Sequence, residues 1–176
     1  MTEPWALLSR EERLALAASS WRRVMPTVMT ILSVIGMVLP VFLPGPILPH
    51  LPFLCVFYWS IHRPDLMPSW AAFLAGIVVD ATLTLPVGLN ATLFTVFSAG
   101  LASQVQVFRS RPFVFSLAVG SFVVLLFQLL SWALLLIFQP GLRLEPFLVQ
   151  GVVTLAMMPF VFRVGAFLQV RIVDRF

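Results

Sequence analysis

From Val24 to Leu43 the chain runs for 20 residues without a charged side chain, until Pro44-Gly45-Pro46 stops it. A helix of about 20 residues, rising about 1.5 Å per residue, crosses a hydrocarbon core about 30 Å thick. Five further apolar stretches follow: Ile47 to Ile61, Pro68 to Leu85, Gly88 to Phe108, Phe113 to Phe138 and Pro146 to Leu168. The second is short and interrupted by Pro49 and Pro52, and the fifth is long enough to tilt. A chain so patterned is expected to be all-α: a polytopic membrane protein with six transmembrane helices. A water-soluble fold is excluded by composition, since 60% of residues are hydrophobic and 10% charged, with a mean hydropathy of +1.03. Soluble domains carry about 25% charged residues.

The net charge of +4 does not point to nucleic acid, because the basic residues flank apolar spans and form no patch on a polar domain. All 11 are arginine. If six segments cross with the N-terminus inside, Arg10, Arg13, Arg22, Arg23, Arg63, Arg109, Arg111, Arg163, Arg171 and Arg175 are cytoplasmic, and Arg143 alone is external. If the second segment fails to cross, everything after it inverts and the bias vanishes. The positive-inside rule therefore selects six spans with both termini cytoplasmic. The expected organisation is a cytoplasmic N-terminal segment (1–23), a six-helix membrane domain (24–168) and a cytoplasmic tail (169–176). The first 23 residues contain Glu3, Glu11 and Glu12 and are read as retained, not as a cleaved signal. They form either an interfacial helix, with Trp5 and Trp21 at headgroup level, or a mobile tail.

Asp80 is the outstanding polar residue. Counted from Ser69 it lies about 17 Å up the third span, which is expected to bring it near mid-bilayer, where an aspartate costs about 2.5–3.5 kcal/mol. It is read as glue between helices, bonded to Asn90, Thr92, Thr82 or backbone groups; a proton relay or ligand contact is the sharper alternative. Gly76 and Asp80 share a helix face, and Gly88, Ala91 and Thr92 open the next span with small residues that permit close approach. Pro86 and Gly88 allow a tight reversal between the two. Pro159 is expected to kink the last span and free a carbonyl near Leu155. Arg163 is too near the cytoplasmic end to pair with Asp80 and is expected to snorkel to the headgroups.

Catalytic and metal chemistry find no support. His50 and His62 are over about 15 Å apart along one helix, and neither has Cys, Asp or Glu at ligand spacing. No serine sits in a G-x-S-x-G setting, and no glycine-rich phosphate loop appears. Cys55, the one cysteine, reads as a small buried hydrophobe. Neither enzyme activity nor a cofactor is expected.

The stretch from Phe57 to Thr95 resembles the MreD family of rod-shape-determining membrane proteins. The matching residues are Tyr58-Trp59, Arg63-Pro64, Phe73-Leu74-Ala75-Gly76-Ile77-Val78-Val79-Asp80 and Pro86-Val87-Gly88-Leu89-Asn90-Ala91, with Gln150-Gly151 and Pro159…Arg163 in the last span. The resemblance implies a fold similar to the substrate-binding subunits of energy-coupling-factor transporters. It also implies a non-catalytic inner-membrane role in the elongation machinery, beside MreC, the actin-like MreB, the glycosyltransferase RodA and its transpeptidase partner, in positioning peptidoglycan synthesis. It carries over no catalytic residue. Gly76, Asp80, Pro86, Gly88, Asn90, Pro159 and Arg163 are the structural or partner-binding candidates. The alternative is a small-molecule-binding subunit of a vitamin-type transporter, with Asp80, Asn90, Gln104 and Gln128 lining a central cavity.

Overall fold

The computed structural model describes residues 24–37 and 48–173. The N-terminal segment, Pro44–Pro46 and the end of the tail lie outside the described residues. Every regular element described is helical: α1 (Val24–Met37), α2 (Leu51–His62), α3 (Ser69–Thr82), α4 (Leu89–Ser103), α5 (Val105–Arg109), α6 (Phe113–Phe138) and α7 (Glu145–Leu168), which continues into a π-helical turn, Gln169–Val173.

Among the described residues two helices are long and apolar enough to cross a membrane on their own: α6, which has the predicted bounds, and α7 with its extension. The helices α2, α3 and α4 are shorter than their apolar runs. The fourth run is divided at Gln104 into α4 and α5, and the third stops at Thr82 instead of Leu85.

The weakest segment of the sequence forms the centre of the molecule. Every residue of α2 from Pro52 to Ile61 is buried, as expected of a helix apolar on all sides. Pro52 lies in its first turn, where the missing N–H costs nothing. Its aromatic side chains work in two groups. Phe53 stacks on Phe127 of α6 at 3.9 Å, and Tyr58 stacks on His62 at 4.2 Å while meeting Phe162 of α7 edge-on. The α1 helix joins this core through Met29, whose sulfur accepts the Trp59 indole N–H at 3.3 Å.

Polarity is distributed inside out. Asp80, Asn90, Ser60, Ser98, Gln128 and Thr154 are buried, whereas Trp70, Phe73, Phe122, Ile137, Val152 and Phe160 are exposed. Polar groups tie helices together: Ser60 donates to Ser98 at 3.1 Å, and the Gln128 amide donates to Gln150 at 3.2 Å. In water so much apolar surface would drive association; against lipid tails it needs no cover.

Candidate functional site

The α3–α4 hairpin is built around Asp80. On α3 the buried positions are Ala71, Ala72, Ala75, Gly76, Val79 and Asp80, a stripe of mostly small side chains recurring every three and four residues. The stripe allows α4 to approach closely. A Cβ on Gly76 would meet the Ala91 backbone nitrogen and the Asn90 carbonyl carbon at 2.7 Å or less. Only glycine fits there.

Asp80 ends its own helix and begins the next. Its backbone carbonyl accepts the Leu85 N–H at 3.0 Å, the long bond that closes a Schellman turn, with Thr84 in the left-handed region at φ 52°. Pro86 follows, as a residue that cannot continue the helix. Gly88, at φ 103° and ψ −11°, has the dihedrals of the third residue of a type II turn, a position that favours glycine.

The Asp80 carboxylate then caps α4. Oδ2 accepts the backbone N–H groups of Gly88 at 2.9 Å and Ala91 at 3.3 Å. Oδ1 accepts the backbone N–H of Asn90 at 3.0 Å and its side-chain amide at 2.9 Å. The first turn of a helix has N–H groups with no intrahelical partner and a positive dipole end. A cap normally comes from the residue just before the helix; here it comes from the preceding helix, across a tight packing contact. Asp80 is 0% exposed, so the four bonds and the helix dipole replace the water it lost.

Of the partners expected for Asp80, Asn90 and backbone groups are the ones it meets. Thr82 and Thr92 do not reach Asp80: their hydroxyls donate to Val78 and Gly88 carbonyls in their own helices, both at 2.6 Å. The helix α3 ends two residues past Asp80, at Thr82. The apolar run continues to Leu85, and it is the left-handed Thr84 that stops the helix inside it.

Of the other candidates, Pro86, Gly88 and Asn90 belong to this hairpin, while Pro159 and Arg163 lie apart on α7. Pro159 is exposed and does not end its helix. Arg163 is also exposed, and among the described residues the ion pair is Arg63–Asp65, at 3.1 Å. That pair lies in the α2–α3 link, beside a cavity of about 720 Å³ that Arg109 also lines. The hydrogen bonds from Arg63 hold the Asp65 carboxyl below its ordinary pKa range.

The supposed central cavity does not form as expected. Asp80 is saturated by the cap, and Gln104 is exposed at the end of α4. Asn90 and Gln128 do share a cavity, of about 180 Å³, with His50, Ser131 and Gln150. In the sequence His50 stands out only in weighing metal ligands, and Ser131 is one of the serines outside any G-x-S-x-G setting. Their common cavity has no signature in sequence spacing. Among the described residues no group of three metal-ligating side chains occurs.

Residues 19–171 match the family model described as MreD, rod shape-determining protein MreD. No curated protein and no solved structure matches.

Proposed function

The chain belongs to the MreD family of rod shape-determining proteins, and from that premise we propose that it is a non-catalytic component of the bacterial elongation machinery. It acts in the inner membrane, holding peptidoglycan synthesis enzymes in place by lateral contact. MreC is the first partner, with MreB, RodA and the RodA-associated transpeptidase in the same assembly.

One observation carries this reading: the polar residues that looked functional are spent on holding helices together. The Asp80 carboxylate makes four hydrogen bonds within its own hairpin. What remains on the outside is apolar surface, including Trp70, Phe73 and Val78 on α3. Surface of that kind suits lipid and the helices of other membrane proteins.

We read the chain as six-spanning, with both termini cytoplasmic and the helix arrangement of energy-coupling-factor substrate-binding subunits. The arginine distribution supports the orientation. Short helices are compatible with it: α2 is enclosed by protein, and backbone at membrane depth needs no full-length helix where protein surrounds it. Together α4 and α5 (89–109) reach about 31 Å at 1.5 Å per residue. The vitamin-subunit alternative loses ground, since a cavity near 180 Å³ falls below the about 300–1,000 Å³ usual for ligand pockets.

Depletion in the host is expected to turn rods into spheres, and MreC is expected to copurify with the tagged protein. Unchanged cell width after depletion would refute the proposal.

A further inference from the structure

The Asp80 hairpin closes one end of α3, and the α2–α3 link with Arg63 lies at the other. The cavity of about 720 Å³ beside that link is lined by polar residues of four separate elements: Arg63 and Asp65 of the link, Arg109 of α5, Ser116 of α6 and Gln169 of the π-helical turn. Its volume falls within the about 300–1,000 Å³ usual for ligand pockets. Aromatic packing brings these groups together. The break at Gln104 sets α5 apart from α4, and Phe108 meets Phe57 of α2 at 6.4 Å and Phe115 of α6 at 6.0 Å. Arg109 follows directly. On α2, Tyr58 stacks on His62 and gives its hydroxyl hydrogen to Gln169 Oε1 at 3.0 Å. The Gln169 oxygen is thereby engaged, and its amide N–H groups remain as donors. His62 gives its Nδ1 hydrogen to the Tyr58 carbonyl at 2.9 Å, which makes it wall and not donor.

Two of the donors stand without partners. Ser116 is 6% exposed, and its hydroxyl makes no hydrogen bond among the described residues. It is not sealed off, because its oxygen keeps accessible surface where the unpaired Ser131 oxygen has almost none. Ser116 also lies in the first turn of α6, the positive end of the helix dipole. Arg109 is exposed and forms no ion pair among the described residues, where the pair is Arg63–Asp65. Its charge nevertheless reaches the link, adding to that of Arg63 in holding the Asp65 carboxyl low. Two arginines against one aspartate leave the cavity positive.

We propose that this cavity binds a phosphate group through Arg109, Ser116 and Gln169, with Arg63 as the second cation. Arginine matches phosphate oxygens in charge and geometry. The donors come from separate elements around one space, which suits a tetrahedral anion with oxygens on every side better than a planar carboxylate. Ile61, Pro64 and Phe108 add apolar wall, so the fitting ligand is a phosphate ester with an organic body. Basic pockets between membrane helices on the cytoplasmic side take anionic lipid headgroups, and a headgroup is the source this site fits. The cytoplasmic placement rests on the six-span reading; the binding of phosphate does not, nor does it rest on the shape-determining role.

The test titrates the full chain, in micelles of an uncharged detergent, with dioctanoylphosphatidylglycerol. Dioctanoylglycerol supplies the same body without phosphate, and inorganic phosphate supplies the anion without the body. Native mass spectrometry counts bound lipid, and ³¹P line broadening follows inorganic phosphate. Saturable binding of the phospholipid is expected, and Arg109→Gln should weaken it about tenfold, the worth of one charge-assisted hydrogen bond. Arg111→Gln is the control, expected to leave binding unchanged. It removes the same charge two residues away, from a side chain that lies over the Phe115 ring at 5.7 Å. Saturable binding of inorganic phosphate alone, with the same dependence on Arg109, upholds the phosphate site and makes its ligand a soluble ester. Three results would overturn the proposal: no saturable binding of either probe, equal binding of dioctanoylglycerol, or equal weakening by Arg109→Gln and Arg111→Gln, which means diffuse charge attraction only. The assay does not read orientation, so a failure of the six-span reading would leave its outcome intact.

Discussion

Asp80 and Asn90 are joined twice through one oxygen: Oδ1 accepts the Asn90 backbone N–H at 3.0 Å and its side-chain N–H at 2.9 Å. The first bond caps α4 and the second locks the cap's own side chain, so helix start and helix pairing become one event.

Asp80→Asn is expected to destabilise the protein by about 3 kcal/mol or more. It removes the charge that faces the helix dipole and turns an amide donor toward N–H groups already seeking acceptors. Equilibrium unfolding in mixed micelles measures this. An Asp80→Asn protein as stable as wild type, yet unable to restore rod shape, would instead identify a proton or ligand role.

Gly76→Ala is expected to cost about 1–3 kcal/mol, the usual range for overpacking, because its new methyl meets backbone that cannot rotate away. Gly100→Ala is the matched control. A Cβ there meets nothing within 4 Å, and helix propensity predicts a gain of up to about 1 kcal/mol. Equal effects at the two sites would refute the close approach of α3 and α4.

Gly88→Ala leaves space unfilled, since nothing lies within 4 Å, but forces an L-residue to φ 103°. A loss of about 1–2 kcal/mol is expected from backbone strain. Gly88→Asn should lose less, because asparagine tolerates positive φ. Thermal unfolding of both variants checks the order.

The pH response of the Arg63–Asp65 pair follows from a folded-state pKa that lies below the unfolded one. Its contribution is present above the ordinary aspartate value of about 3.9 and is lost as the pH falls through the depressed folded value. The Asp65 side chain is 58% exposed, so solvent screening holds the contribution to no more than about 1 kcal/mol. Carboxyl ¹³C titration should show the Asp65 midpoint rising in Arg63→Gln.

Asp80 was legible as the lone acid of an apolar run, and Asn90 as one of its partners, because both are polar where polarity is costly. Thr82 and Thr92, the other partners considered, turn elsewhere for a local reason: a helical hydroxyl reaches its own carbonyl four residues back before it reaches another helix. The short third helix was hidden for a similar reason. Thr84 is not a glycine, and nothing in its identity announces a left-handed conformation.

The residues alone determined that this chain is helical and membrane-like, and that Gly76, Asp80, Pro86 and Gly88 belong together. Those conclusions rest on hydrophobicity, charge and turn chemistry, all of which are local or additive along the chain. Tertiary structure decided that Asp80 is spent as a helix cap, that the weak second segment is the buried centre, and that His50 and Ser131 share a cavity. Each of these depends on which groups satisfy which across helices, and burial makes that pairing obligatory without recording it in the spacing of residues.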